Sequence, residues 1–320
     1  YPSNSYISFM KNSLDIAPGS YFKYLLFVIL ITLLSMTLFQ LAPMLVITLL
    51  KDNGGYIISN ITAYHSDPYL MDEHINTIPN VFNSTVNTLK VLTLCSQIGT
   101  FLVPSLFIFW RFKKITLHVN KMERKEIFYL IIPFLILLGI SQLLVQFSLY
   151  VGYDYLPDAI ITYLEKEQLF NTKIQDYFVT QSVINLLMNV GLMAILPAVA
   201  EELFFRGILQ PLFIRLTKKK WWGIIITSII FSSLHFQIDH LLAILFASVI
   251  LGLVYEKKMN IYLNMLLHFA FNTFSLLSLF LIKNNVIEEN SLELILNYGL
   301  IPVGLVCLML SIKKNNLNLI

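Results

Sequence analysis

Six polar residues interrupt the most apolar half of this chain, and their types suit proton transfer and hydrogen bonding to a reacting group. They are Glu201, Glu202, Arg206, His235, His268 and Asn272. The segments around them are otherwise almost free of charge. Charged side chains are expensive inside a bilayer and by default mark functional sites there, so these residues are the first candidates for chemistry.

Helical spacing gives the two neighbouring glutamates different directions. Glu201 and Glu202 point about 100° apart on a helix and cannot address one spot equally. Glu202 and Arg206 stand at positions i and i+4, where a carboxylate and a cation pair well. We therefore expect Glu202 and Arg206 to form a buried ion pair that positions the helix, and Glu201 to face a cavity and His235.

The residue types fit hydrolysis, with or without a metal ion. Glu201 and His235 beside a water molecule satisfy general-base catalysis, because either side chain can accept the proton of water. His268 and Asn272, on one face of another helix, can donate hydrogen bonds to an oxyanion. Glu201, His235 and His268 also match a catalytic zinc shell of two histidines and one glutamate with an open fourth position. The residues alone leave the cofactor open between none and zinc.

Composition places these residues in an integral membrane protein. The chain has 320 residues, of which 57% are hydrophobic and 13% charged, and its mean hydropathy is +0.71. Continuous apolar runs of about 18 or more residues are typical of membrane helices, whereas β-barrels show short alternating segments. The net charge of +3 does not indicate nucleic-acid binding. We predict an all-α, polytopic bundle of membrane helices, surrounded by membrane lipids.

The apolar runs predict about eight transmembrane helices in four regions of the chain. The predicted spans are 21–50, 87–110, 127–151, 178–217, 221–237, 240–255, 259–282 and 294–312. The predicted regions are an N-terminal surface segment 1–20, N-terminal helices 21–177 with a long external loop 51–86, a catalytic core 178–282, and a C-terminal loop with the last helix, 283–320. A short interfacial helix is expected within 152–177. The run 178–217 is too long for one straight span, and Pro197 is its expected kink.

The distribution of basic residues predicts which side of the membrane each end occupies. With eight spans, sixteen of the 22 Lys and Arg residues fall on one side, which the positive-inside rule identifies as cytoplasmic. Both termini then lie in the cytoplasm. The frequent Ile, Asn and Lys residues favour a prokaryotic cell membrane with an AT-rich genome.

The candidate residues reach a similar depth on three different helices. Glu201 lies 14 residues before Arg215, and His235 lies 14 residues after Trp221, so both are about 21 Å from the cytoplasmic boundary at helical rise. His268 lies about 15 Å deep by the same measure. Agreement between separate helices predicts one shared site within the membrane, with its cavity open toward the cytoplasm.

Three motifs in this order resemble the signature of the CPBP family of intramembrane proteases, also called Abi or CAAX-protease-like. The motifs are Glu201-Glu202-x-x-x-Arg206, Phe231-x-x-x-His235 and His268-x-x-x-Asn272, within about 183–278. The family includes type II CAAX prenyl endopeptidases and bacterial proteins of bacteriocin immunity and peptide maturation. The resemblance implies that Glu201 and His235 activate water and that His268 and Asn272 line the oxyanion site. It also implies a structural or substrate-binding role for Glu202 and Arg206, and a peptide or lipidated-peptide substrate.

Two other functions compete with proteolysis. A non-proteolytic scaffold or immunity protein would use the same cavity to bind a partner peptide. A transporter would use the intramembrane charges for proton relay, but no inverted repeat of broken helices is evident. Substrate identity, prenylation and oligomeric state are not encoded in these motifs.

Overall fold

The computed structural model describes residues 20–112, 117, 124–155, 157–235, 237 and 239–313. These residues form helices joined by short connections, without a strand among them, as the all-α prediction requires. The predicted surface segment 1–20, apart from its last residue, lies outside the described residues. So do most of the basic connector 111–126 and the residues after Lys313, which contribute to the predicted orientation of the termini.

The described residues contain twelve helices, which we number in chain order. They are α1 (Tyr21–Leu50), α2 (Gly54–Ser66), α3 (Leu70–Thr77), α4 (Pro79–Arg111), α5 (Arg124–Tyr129), α6 (Ile131–Tyr155), α7 (Asp158–Phe178), α8 (Val183–Thr217), α9 (Lys220–Ser233), α10 (Leu241–Lys258), α11 (Ile261–Lys283) and α12 (Glu289–Lys313).

Six segments of the described chain are long and apolar enough to cross a membrane. They are Tyr21–Leu50, Pro79–Arg111, Glu126–Val151, Val183–Thr217, Ile261–Lys283 and Glu289–Ser311. The two other predicted spans correspond to α9 and α10, which have 14 and 18 residues. A helix of 14 residues rises only about 21 Å, less than the hydrocarbon core of about 30 Å. The protein is an integral membrane protein with at least these apolar helices, while the count of eight stays a prediction.

The stretch 51–86, predicted to be a long loop, is mostly helical. It contains α2, α3 and the start of α4, separated by short turns near Pro68 and Pro79. Although this stretch is polar on average, it contains a few apolar residues that form a stripe. Tyr64, Met71 and Phe82 are buried together against α7. The loop prediction was therefore wrong, because burying a stripe requires only a few apolar residues at helical spacing. The region 152–177, where a short interfacial helix was expected, contains most of α7, a helix of 21 residues. Its location at the membrane interface stays a prediction.

Four prolines in the described helices each follow a wide helical turn. Four π-helical turns occur, and a proline follows the end of each by two residues. The pairs are Ile98–Leu102 with Pro104, Gly191–Ile195 with Pro197, Phe205–Leu209 with Pro211, and Ile295–Leu300 with Pro302. A proline ring clashes with the carbonyl four residues earlier, and a wider turn relieves that clash. The irregularity expected at Pro197 is thus present as a π turn just before it.

Helix α8 lies at the centre of the bundle. Its middle packs Phe204, Phe205 and Ile208 against residues of α1, α4 and α9. Helix α9 crosses α8 very closely, since a Cβ added at Gly223 would lie 2.7 Å from the backbone nitrogen of Ile214. A second cluster joins α6, α10, α11 and α12. This packing surrounds the Glu201 segment with helices on most sides.

Candidate active site

The glutamate pair lies in the most deeply buried part of α8. Glu201 is 3% exposed, and Glu202 and Arg206 are completely buried. The π turn Phe205–Leu209 begins directly after this segment, and the N–H of Phe205 donates to the carbonyls of both Glu201 and Glu202. Wide turns of this kind are frequent at functional sites.

The Glu202 carboxylate is the centre of a hydrogen-bonded cluster. Its Oε1 accepts from Nη1 of Arg206 at 2.9 Å and contacts Nδ1 of His268 at 3.0 Å. Its Oε2 accepts from Nδ2 of Asn264 at 3.1 Å. The ion pair expected from the i, i+4 spacing is confirmed, and neither of its side chains is exposed. Removing charges from water is costly unless they are paired and hydrogen-bonded, and in this cluster the charges of Glu202 and Arg206 are paired and both Glu202 oxygens are hydrogen-bonded.

Arg206 also ties α8 to two neighbouring helices. Its Nη2 donates to the carbonyl oxygen of Ser248 at 2.8 Å and to the hydroxyl of Ser248 at 2.9 Å, both on α10. Its guanidinium lies over the ring of Phe231 on α9, 5.1 Å from the ring centroid. The planar fork of arginine suits such divided contacts, and lysine could not reproduce them.

The polar contact between α8 and α10 continues one turn beyond Arg206. Nε2 of Gln210 donates to the carbonyl of Gly252 and to Oε1 of Glu256, each at 3.1 Å. The row on α8 and its partners on α10 therefore advance together in steps of four residues. Gly252 permits this approach, because a Cβ there would lie 2.9 Å from Oε1 of Gln210.

Glu201 and His268 face each other across a short gap. Oε2 of Glu201 is buried and has no hydrogen-bond partner among the described residues, and Nε2 of His268 lies 3.9 Å from it. Because Nδ1 of His268 contacts Glu202, the two sides of one imidazole ring face two carboxylates. With Arg206, the four groups have no net charge when His268 is protonated and both glutamates are ionised. One proton can move from His268 to Glu201 without changing that balance.

The side-chain contacts of His235 among the described residues are with Phe231. Its Nδ1 contacts the carbonyl of Phe231 at 2.7 Å, and its ring lies 4.7 Å from the Phe231 ring. Among the described residues no ion pair joins His235 to Glu201. Helix α9 ends at Ser233, so the direction of His235 depends on the turn that follows and not on helical periodicity.

Asn272 lies one turn after His268 on α11, on the same helical face. Its side chain is half-buried. Among the described residues, its amide group makes no hydrogen bond.

Glu201, His235 and His268 are the candidate zinc ligands of the sequence analysis. In the structure Glu201 and His268 approach each other, and Nδ1 of His235 contacts the carbonyl of Phe231. The described residues contain no group of three or more His, Cys, Asp or Glu side chains placed to hold a metal ion. We therefore derive no step through a metal ion.

Sequence reasoning missed three residues of the cluster. Asn264 had a usable signal, since Asn264, His268 and Asn272 form a polar stripe at intervals of four residues on an apolar helix. Gln210 continues the row of Glu202 and Arg206 in the same way. Ser248 had no such signal, because isolated serines are common in membrane helices.

Comparison with known families identifies a match over this region. Residues 183–274 match the family model described as type II CAAX prenyl endopeptidase Rce1-like. The matched segment contains α8 to α10 and the first half of α11, and therefore all six predicted site residues. No curated protein and no solved structure matches the chain.

Proposed function

We propose that this protein hydrolyses a peptide bond in a membrane-associated or peptide substrate, as an intramembrane protease of the CAAX-protease-like, or CPBP, family that residues 183–274 resemble. The observation that carries the proposal is the buried, unpartnered oxygen of Glu201 facing Nε2 of His268. A buried carboxylate without a partner is costly, and a bound water molecule would supply the missing hydrogen bond.

Glu201 acts as the general base in the proposed reaction. Its carboxylate takes a proton from the water, and the water oxygen forms a bond to the carbonyl carbon of the substrate. The carbonyl electron pair moves onto its oxygen, giving a tetrahedral oxyanion. The protonated Glu201 then gives its proton to the leaving amine as the carbon–nitrogen bond breaks. Positioned proton transfer of this type contributes about 10²- to 10⁴-fold to the rate.

His268 and Asn272 stabilise the oxyanion in this scheme. Protonated His268 donates from Nε2, since its Nδ1 is directed to Glu202, and Asn272 donates from its amide. Donors that are fixed before the reaction stabilise developing charge most effectively. The Glu202 carboxylate, which is paired with Arg206, contacts Nδ1 of His268 and so fixes the orientation of its ring. We thus keep the roles expected for Glu201, His268 and Asn272, and add that His268 lies beside Glu201. The expected part of His235 in activating the water stays a prediction.

Substitution of the reacting residues tests the proposal. The purified protein, in detergent and again in liposomes, is incubated with a library of internally quenched peptides, with and without a prenyl group on a cysteine. Glu201→Gln keeps the shape of the side chain but removes the base, so turnover should fall at least about 100-fold. His268→Ala should lose a comparable factor. The matched control is His240→Ala, a histidine whose side chain is half-exposed in the α9–α10 turn and paired with Asp239, which should keep its turnover.

Two outcomes would count against this assignment. Turnover within about twofold of wild type in both Glu201→Gln and His268→Ala would exclude them as reacting groups. Loss of turnover in His235→Ala alone would return the base function to His235. A cellular phenotype that persists in Glu201→Gln would favour the scaffold or immunity function over proteolysis.

Metal dependence requires its own experiment. Turnover is measured during prolonged incubation with a chelator, followed by add-back of zinc. We expect turnover to be unaffected, because the described residues contain no group of three or more His, Cys, Asp or Glu side chains placed to hold a metal ion. Loss on chelation with recovery on adding zinc would overturn the metal-free scheme.

A further inference from the structure

The two oxygens of Glu202 are held in unequal ways. Oε1 contacts both Arg206 and His268, whereas Oε2 accepts from Asn264 among the described residues. All of these side chains are buried, and Glu202 and Asn264 are completely so. Without Asn264, Oε2 would be a buried carboxylate oxygen without a donor, and the carboxylate plane could rotate about the Oε1 contacts.

Asn264 is itself fixed by a second contact. Its Nδ2 donates to the carbonyl of Leu251 on α10 at 2.7 Å in addition to Oε2 of Glu202. An amide nitrogen has two hydrogens, so both are used. Two acceptors on one side also fix the orientation of the amide, because exchanging its oxygen and nitrogen would place an oxygen against two other oxygens. The side chain of Asn264 is thus a rigid bridge from α10 to Glu202.

Rotation of Glu202 would be transmitted to His268. Nδ1 of His268 is 3.0 Å from Oε1 of Glu202, and this contact directs the opposite nitrogen, Nε2, toward Glu201. The orientation of a reactive histidine depends in general on the partner of its other ring nitrogen. Asn264 acts on His268 through Glu202, and its backbone lies one helical turn before His268 on α11.

We propose that Asn264 is a positioning residue: it fixes the Glu202 carboxylate, and through Glu202 it keeps Nε2 of His268 directed at Glu201. This inference rests on the proposed function for its effect on turnover. Asn264 lies outside the three sequence motifs, and through it the contact between α10 and α11 contributes to the geometry of the site.

Two substitutions at Asn264 separate positioning from simple stability. Asn264→Ala leaves Oε2 of Glu202 without its donor, so kcat should fall about 10- to 100-fold, the usual effect of losing an outer-shell partner, with little change in KM. Asn264→Asp has the same shape but donates only when its carboxyl group is protonated. Its single O–H can then replace the donation to Glu202 but not the one to Leu251. The ratio of its kcat to that of wild type should therefore rise as pH falls and drop as pH rises, because the ionised carboxylate introduced by this substitution repels Glu202.

The chain offers a closely matched control in Asn189 on α8. Asn189 is 1% exposed, and its Nδ2 donates to the carbonyl of Phe178 at 2.6 Å and to Oδ1 of Asn185 at 2.9 Å. Like Asn264, it has a buried Oδ1 without a partner. Asn189→Ala should lose a similar amount of stability while kcat stays within about twofold of wild type. Equal kcat losses in the two alanine variants would reduce Asn264 to a structural residue and overturn the proposal.

A readout independent of turnover distinguishes this proposal from the proposed function. The protein is labelled with ¹⁵N-histidine, and the signals of His268 are assigned by their absence in His268→Gln. Asn264→Ala should shift the Nδ1 signal of His268, and Asn189→Ala should not. If wild type cleaves no peptide but the shift is present, the protease assignment fails and the positioning inference stands. An unchanged His268 signal in Asn264→Ala overturns the inference whatever the activity, and Asn264→Asp serves the same test if the alanine variant does not fold.

Discussion

The ion pair of Glu202 and Arg206 permits a quantitative test of how the site is held. Arg206→Met removes the charge that compensates Glu202, together with both contacts to Ser248. Glu202→Gln leaves the completely buried Arg206 without its carboxylate. Removing one partner of a buried pair leaves an uncompensated charge and costs about 3–5 kcal/mol. Each single substitution should therefore lower the free energy of unfolding by about that amount.

The double variant should cost much less than the sum of the two single variants. When both charges are absent, neither is left uncompensated, while Glu201 and His268 still balance each other. We expect a coupling energy of about 2–3 kcal/mol, near the upper end for residues in direct contact. Ser248→Ala is the control for the smaller contacts, since Arg206 keeps the Ser248 carbonyl, and it should cost about 0.5–1.5 kcal/mol.

The assay is equilibrium unfolding of the purified protein in mixed micelles, followed by circular dichroism as the denaturing detergent fraction rises. All four variants are compared with wild type in the same lipid and detergent mixture. Additivity of the two single costs within about 0.5 kcal/mol would refute the reasoning, because it would mean that the two side chains do not depend on each other for their burial.

Two further predictions concern packing and pH. Gly223→Ala should destabilise the protein by about 1–3 kcal/mol, since the new Cβ would lie 2.7 Å from the backbone nitrogen of Ile214. The control Gly191→Ala meets no described atom within 4 Å and should be neutral or stabilising by less than about 1 kcal/mol. The melting temperatures of the two variants are compared by thermal unfolding, and equal shifts would contradict the close crossing of α8 and α9. A hydrogen bond from Lys173 lowers the pKa of Asp72 below its usual value. Partial burial opposes this shift, and a second hydrogen bond, from Tyr177, adds to it. The contact of α3 with α7 should therefore stabilise the fold above about pH 4 and weaken as pH falls through the lowered pKa. Hydrogen exchange in α3 and α7 between about pH 6 and 3 should show this loss in wild type but not in Asp72→Asn, and the same exchange profile in both proteins would exclude Asp72 as its cause.

Local features of the chain were predictable because they depend on neighbours within one helix. The i, i+4 spacing was sufficient to predict the pairing of Glu202 with Arg206, since both belong to the same stretch of α8. Long apolar runs were sufficient to predict the all-α class and most of the membrane helices. Some prolines carried information that was only partly used. Pro197 was expected to disturb α8, and Pro104, Pro211 and Pro302 follow π turns by the same steric rule.

Contacts between helices were decided only by the tertiary structure. Depth along a helix follows from counting residues, but rotation about the helix axis and the course of a turn do not. For this reason His235, at a depth matching that of Glu201, contacts Phe231, while His268 from α11 occupies the place beside Glu201. The same reason explains why Asn264 and Ser248 entered the cluster without being predicted. The sequence by itself determined which residue types lie within the membrane and which pairs lie on one helix; the packing of α8 against α9, α10 and α11 decided which of those groups meet.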